Sequence, residues 1–251
     1  MINLVSPFLR ELGGRVSLAG DTLRQGLRRP FEFELWLEQL YQVGVRSLTI
    51  TNLTLLFTGM VLSIQTAYSL AAYGGKTFVG DIITVSVVRE LGPVLTALMI
   101  SGRVGAGITA ELGSMAVTEQ VDALRALAAD PVKKLVVPRV GALIVMVPIL
   151  TILADTVAVF GGLLMAVFEI GQTRSYFMSR AVASLTLGDI GSGVGKTVFF
   201  AAIIGTVACY NGMRATGGAD GVGKATTNTV VTASIFVIIA DFFLTKIFLL
   251  F

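Results

Sequence analysis

The apolar positions of this chain gather into five long runs parted by short polar segments. A helix that crosses a bilayer needs about 20 mostly apolar residues. Residues 47–75 carry no Asp, Glu, Lys or Arg and predict a first span. Residues 82–112 predict a second, interrupted by Arg89 and Glu90. A third covers 140–168, broken by Asp155. The fourth covers 191–213 and contains Lys196, and the fifth covers 225–250 and contains Asp241 and Lys246. Ahead of them, "FEFELWLEQLYQVG" (31–44) sets Phe31, Leu35, Leu37, Leu40 and Tyr41 among acidic residues. That is the pattern of a helix lying in the membrane interface, with Trp36 as an aromatic anchor. The chain therefore reads as an all-α polytopic membrane protein. Residues 1–45 form an N-terminal cytoplasmic or interfacial helical segment, and 46–251 a five-helix transmembrane domain.

Composition agrees with the pattern. The 251 residues are 54% hydrophobic and 14% charged, against about 25% charged in a soluble domain. The 28 glycines suit helices packed closely in lipid. Gly102, Gly105, Gly107 and Gly113 on the second run read as packing positions. Histidine is absent, which removes imidazole acid–base chemistry and histidine metal sites. Cys209 is the single cysteine, so no disulfide or cysteine–metal framework exists. No cofactor is implied. The net charge of +3 is too small to point to nucleic acid.

Lys and Arg mark the cytoplasmic face of membrane proteins. Arg10, Arg15, Arg24, Arg28, Arg29 and Arg46 precede the first run, and Arg103, Arg125, Lys133, Lys134 and Arg139 fall between the second and third. The first outer loop has Lys76 alone. This bias predicts a cytoplasmic N-terminus and, with five crossings, a C-terminus on the opposite side.

Two stretches imitate the phosphate loop G-x-x-x-x-G-K-[ST]: "GSGVGKT" (191–197) and "GGADGVGKA" (217–225). In the first, the leading glycine falls on Ile190. In the second, Ala225 stands where the magnesium hydroxyl belongs. A phosphate loop follows a buried strand and opens a helix. Here one stretch opens a predicted span and the other is expected in a short loop before a span. Nucleotide binding by this chain is not expected.

Between the second and third runs, Val121, Leu124, Leu127 and Ala128 recur at helical spacing. Thr118 is placed to cap the start, and Asp130-Pro131 to stop the helix. The sequence predicts a short amphipathic helix over about 118–129, with an apolar stripe that wants a partner.

Arg89, Glu90, Lys196 and Asp241 are ionisable groups inside predicted spans. Each unpaired charge at mid-membrane costs at least about 2.5 kcal/mol. Two cations and two anions sum to zero, so one mutually paired network over all four is expected. Leu62, Thr66, Leu70 and Tyr73 share one face of the first run near its outer end. With Leu91 they are candidate walls of a lipid cavity; helix packing or lipid exposure explains the same spacing.

The stretch "VVRELGPVLTALMISGRVGAGITAELGSMAVTEQVDALRALAADPVKKLVVPRV" (87–140), followed by "GG" (161–162), "YNG" (210–212) and "ATTNTVV" (225–231), resembles the MlaE-type permeases, also called YrbE, with chloroplast TGD-type relatives. The resemblance runs from about residue 39 to 248. It implies the permease subunit of an ABC transporter that moves phospholipid between membranes of a diderm envelope or plastid, working as a homodimer in the bacterial inner membrane. A separate ATPase subunit would bind on the cytoplasmic side, a ring of MCE-domain proteins on the other, and a STAS-domain protein would join some systems. The resemblance assigns the 118–129 helix to ATPase coupling, with Glu119, Val121, Asp122, Leu124, Arg125 and Leu127 as contacts, and sets the lipid cavity at the dimer centre. The N-terminal 30 residues, Asp155 and the 169–190 loop depart from the family pattern.

Two other readings compete. A secondary transporter could use Glu90, Lys196 and Asp241 as an ion relay, but such carriers usually carry internal repeats, and five spans do not divide into equal halves. A membrane enzyme of lipid metabolism lacks support, since neither histidine nor a paired acidic motif is present.

Overall fold

The computed structural model describes residues 2–28, 32–248 and 250. Arg29 and Phe31, invoked above for orientation and interface anchoring, lie outside the described residues. Every regular element among the described residues is helical. Five stretches are long and apolar enough to span a membrane: Phe33–Ala71, Gly75–Val117, Val132–Phe168, Leu187–Met213 and Gly218–Phe248.

The first helix, α1 (Ile2–Gly26), is amphipathic and lies against the bundle. Leu18 is buried there, and the Arg15 guanidinium stacks over the rings of Tyr210 (5.5 Å) and Phe236 (5.8 Å). Stacking of this kind lets a cation sit in an apolar contact. The next helix, α2 (Phe33–Val43), passes through a tight turn at Val45–Ser47 into α3 (Leu48–Ala71). Leu35, Leu37 and Tyr41 are exposed, whereas Trp36 and Leu40 pack on the core.

The second span is a composite. Helix α4 (Val79–Ser86), α5 (Gly92–Ile100) and α6 (Ala106–Val117) are joined by π-helical turns at Val87–Leu91 and Ser101–Gly105. Arg103, expected in the loop after this span, lies inside the second π-turn and donates to Ser47 Oγ at 2.7 Å. The span ends at Val117, not near 112, because Arg103 and Glu111 both find polar partners and so do not end the helix.

A short α7 (Gln120–Ala126) and a third π-turn (Val132–Val136) lead into α8 (Val137–Phe168). On the far side lies α9 (Arg174–Ser184), tied to α4 by an Arg180–Asp81 ion pair. The last two helices are α10 (Leu187–Met213) and α11 (Gly218–Phe248).

Small residues set the closest crossings. A Cβ on Gly59 of α3 would stand 2.0 Å from the Ala158 carbonyl oxygen of α8. The backbones therefore touch, and Ser63 Oγ donates to the Gly162 carbonyl at 3.0 Å beside them. Such contact replaces the hydrophobic drive that lipid cannot supply. Ile100, Leu112, Leu143, Phe200 and Ile204 form the larger core and Leu55, Ile83, Ala158 and Phe177 a second one.

Both phosphate-loop imitations are helical. "GVGKT" lies in the second and third turns of α10, which starts at Leu187. "GADGVGKATT", expected as a loop, forms the opening turns of α11. There Lys224 pairs with Asp220 at 2.7 Å, four residues apart, so a helical pair holds the lysine that a phosphate loop would need free.

Candidate functional site

The site begins with a proline. Gly92 N–H closes the first π-turn on the Val87 carbonyl, five residues back. Pro93 follows and has no N–H to offer its preceding turn. That leaves the Arg89 carbonyl open, and Lys196 Nζ donates to it at 3.1 Å. Lys196 reaches this carbonyl because α10 crosses the π-turn at Gly193, where a Cβ would stand 2.1 Å from the Val88 carbonyl oxygen. A glycine that looked like part of a phosphate loop is a helix contact, and three residues later it delivers a lysine.

Lys196 is 1% exposed. Its ammonium has three donors, and they go to the Arg89 carbonyl, Glu90 Oε2 at 2.7 Å and Thr245 Oγ1 at 2.6 Å. Thr245 in turn donates to Glu90 Oε2 at 3.1 Å. Asp241, one turn before Thr245 on α11, puts Oδ1 3.3 Å from Nζ. With all three donors engaged, this is a charge contact rather than a formed hydrogen bond, and Oδ1 has no hydrogen-bond donor among the described residues.

Three of the four expected charges thus meet, and the fourth goes elsewhere. The Arg89 guanidinium lies 3.4 Å from Asp189 Oδ1. Asp189 is also half of a capping box at the start of α10. Its Oδ2 accepts from Thr186 N at 2.9 Å, and its own N–H donates to Thr186 Oγ1 at 3.2 Å. A carboxylate fixed at a helix start is well placed for a cation, so Arg89 turns toward the helix end while Glu90, about 100° around, turns inward. The cluster therefore has one cation and two carboxylates, not the balanced set of four.

Thr245 was not expected from sequence. Its signal was present: it follows Asp241 by four residues, so both occupy one face of a helix. Asp189 was legible as the last residue of a Thr-x-x-Asp capping box, three positions after its Thr186 cap.

Helix α7 holds the other candidate surface. Val121 is buried, Leu124 half-buried and Leu127 79% exposed, with Glu119, Asp122 and Arg125 exposed around them. The expected stripe is therefore split: its first member packs into the bundle, and only its later turn faces outward. Thr118 does not cap the helix. Its hydroxyl bonds back to Ser114 O at 2.7 Å, and Glu119 occupies the cap position with φ 60°. Asp130 Oδ1 accepts from Val132 N at 2.8 Å and so starts the next turn. An Asp122–Arg125 pair (2.7 Å) spans α7 itself.

Leu62, Thr66, Leu70 and Leu91 are half-buried and Tyr73 is 86% exposed. Leu62 and Leu70 pack against the second core. In the single chain these residues form an open face, not an enclosed chamber. Asp155, by contrast, is buried against Gly92. It lines a groove of about 360 Å³ together with Thr84, Val88, Ile190 and Val194.

A bundle of five apolar spans, with a charge cluster inside it and a short amphipathic helix between spans two and three, is a membrane transport scaffold. The family model for the permease MlaE matches residues 36–247, and the chain belongs to the MlaE permease family. It is 39% identical over 216 residues to the intermembrane phospholipid transport system permease protein MlaE of Haemophilus influenzae, covering 86% of this chain and 83% of that one. It is 39% identical over 222 residues to a probable ABC transporter permease protein of Rickettsia bellii (88% and 86% covered). To a probable ABC transporter permease protein of Synechocystis it is 43% identical over 208 residues (83% and 79% covered).

Proposed function

We propose that this multi-pass permease moves phospholipid between membranes as the membrane subunit of an ABC transporter. The supporting observation is the family match across nearly the whole membrane domain, together with a relative whose name states intermembrane phospholipid transport. ATP hydrolysis belongs to a separate ATPase subunit that docks on the outward turn of α7, through Leu124 and Leu127 with Glu119, Asp122 and Arg125 around them. Two copies of the chain pair so that Leu62, Thr66, Leu70, Tyr73 and Leu91 face a shared lipid chamber. A ring of MCE-domain proteins receives or delivers lipid on the side of α9, and a STAS-domain protein is a further candidate partner. The side carrying α1 and α7 is cytoplasmic, in the inner membrane of a diderm cell, and the C-terminus faces the periplasm. The Lys196–Glu90–Asp241 cluster links spans two, four and five at the point where their relative motion would be felt.

The cluster alone would also suit an ion-coupled carrier; the family match argues for the ABC reading. Reconstitution separates the two. Vesicles holding this chain with its ATPase should transfer labelled phospholipid to MCE-bearing acceptor vesicles only with ATP. The chain alone should hydrolyse no ATP, and Lys224→Ala should change nothing. Transfer by the chain alone under a proton gradient would overturn the proposal.

A further inference from the structure

A groove of about 650 Å³ lies between α1, α2 and the neighbouring ends of α8 and α10. Pockets of about 300–1,000 Å³ are the size that holds a small-molecule ligand. Its walls are apolar: Leu23, Val140, Gly141, Ile144 and Ala202 line it, and Trp36 closes one side. Its polar groups gather at one end. Arg28 and Lys133 stand there with Glu32, and neither base is in a salt bridge among the described residues. The nearby Asp130 is already engaged by Gln25 Nε2 at 2.6 Å and by the Val132 amide. The residues that line the groove carry two cations against one carboxylate, a net positive charge, and Asp130 is not among them.

Length decides the occupant. From Lys133 to Ile144 is 11 residues of helix, about 16 Å at 1.5 Å per residue. One leaflet of a hydrocarbon core about 30 Å thick is about 15 Å deep. The groove thus begins with bases at the level of lipid headgroups and ends near the bilayer middle. A soluble anion would leave its apolar length empty, and a zwitterionic lipid would bring a cation of its own toward the two bases.

We propose that this groove holds one acyl chain of an anionic phospholipid from the leaflet on the α1 side, with Arg28 and Lys133 on its phosphate. Basic pockets between membrane helices recognise anionic headgroups in this way. The lipid would be a resident ligand that fastens α1 and α2 to the bundle, apart from any lipid in transit, so the site stands or falls independently of transport.

Trp36 is the only tryptophan in the chain, so its fluorescence reports this groove directly. The full chain, in bilayer discs of phosphatidylcholine, is titrated with phosphatidylglycerol brominated on its acyl chains, and separately with brominated phosphatidylcholine. Phosphatidylglycerol should reach half-quenching at about a 25-fold lower mole fraction. Arg28→Gln with Lys133→Gln should erase that preference, about fivefold for each charge removed. Ala202→Leu, which fills the wall, should weaken quenching by both lipids while leaving the helical content intact. Inorganic phosphate in solution should not relieve the quenching. Equal quenching by the two lipids, an unchanged preference in the double variant, full quenching in Ala202→Leu, or relief by free phosphate would each overturn the assignment.

Discussion

Lys196 shows how one side chain can organise a membrane interior. Its ammonium is buried and saturated, and two carboxylates depend on it for neutralisation. Removing one partner of a buried ion pair costs about 3–5 kcal/mol, because the charge left behind has no water to turn to. The losses should be unequal. Asp241→Leu leaves the Lys196–Glu90 pair intact and removes the surplus negative charge, so it should be the milder change. Lys196→Met strands both carboxylates and should be the severe one. Adding Asp241→Leu to Lys196→Met should restore part of the loss. Yield of folded protein after detergent extraction, with thermal midpoints, measures all three. Strictly additive losses would show that the two residues are not coupled.

At the scale of the element, α7 is bounded by two residues in the left-handed region, Glu119 (φ 60°) and Ala128 (φ 57°). Ala129 N–H returns to Leu124 O at 3.0 Å and Ala128 N–H to Arg125 O at 3.0 Å, the bonds that close a helix through a left-handed residue. An L-residue there costs about 1–2 kcal/mol that glycine avoids. Ala128→Gly should therefore raise the thermal midpoint or leave it level, despite adding a flexible residue; a clear drop would show that the Ala128 methyl makes a contact of its own. The outward turn also defines a sharper docking test than the helix as a whole. Leu127→Asp should weaken ATPase capture by at least about tenfold, since it would bury an unpaired charge, and should spare folding. Val121→Asp strikes the core and should destabilise the chain itself. Unchanged capture by Leu127→Asp would move the coupling surface elsewhere.

The whole molecule leaves much of its surface for lipid or another copy. On α11, Ile235, Ile238, Ile239, Phe242 and Phe243 are all exposed. Five spans make a wall rather than a closed pathway, and the face of α3 that carries Leu70 and Tyr73 stays open. A photo-crosslinker at either position should capture phospholipid more strongly than one at Arg125 on α7. Labelling no greater than that control would count against a lipid chamber on this face.

Sequence alone determined the spans, because the cost of placing charge in hydrocarbon is paid locally, residue by residue, and is written as runs of apolar side chains. It also singled out the charges inside those runs, since an ionisable group there is an exception to the run. It did not determine which charges would meet. Arg89 and Glu90 are adjacent, yet a capped helix start draws one and a buried lysine takes the other. That choice depends on Pro93 freeing a carbonyl and on Gly193 letting two backbones touch. The extent of the second span was likewise out of reach, because the polar partners that carry the helix past Arg103 and Glu111 to Val117, Ser47 and Arg139, lie far away in sequence. The amphipathic stripe of α7 was visible as periodicity, but periodicity is blind to which neighbour covers it. Val121 went inward because the bundle was there to meet it, and only the packed helices decided that Leu127 would be left outside.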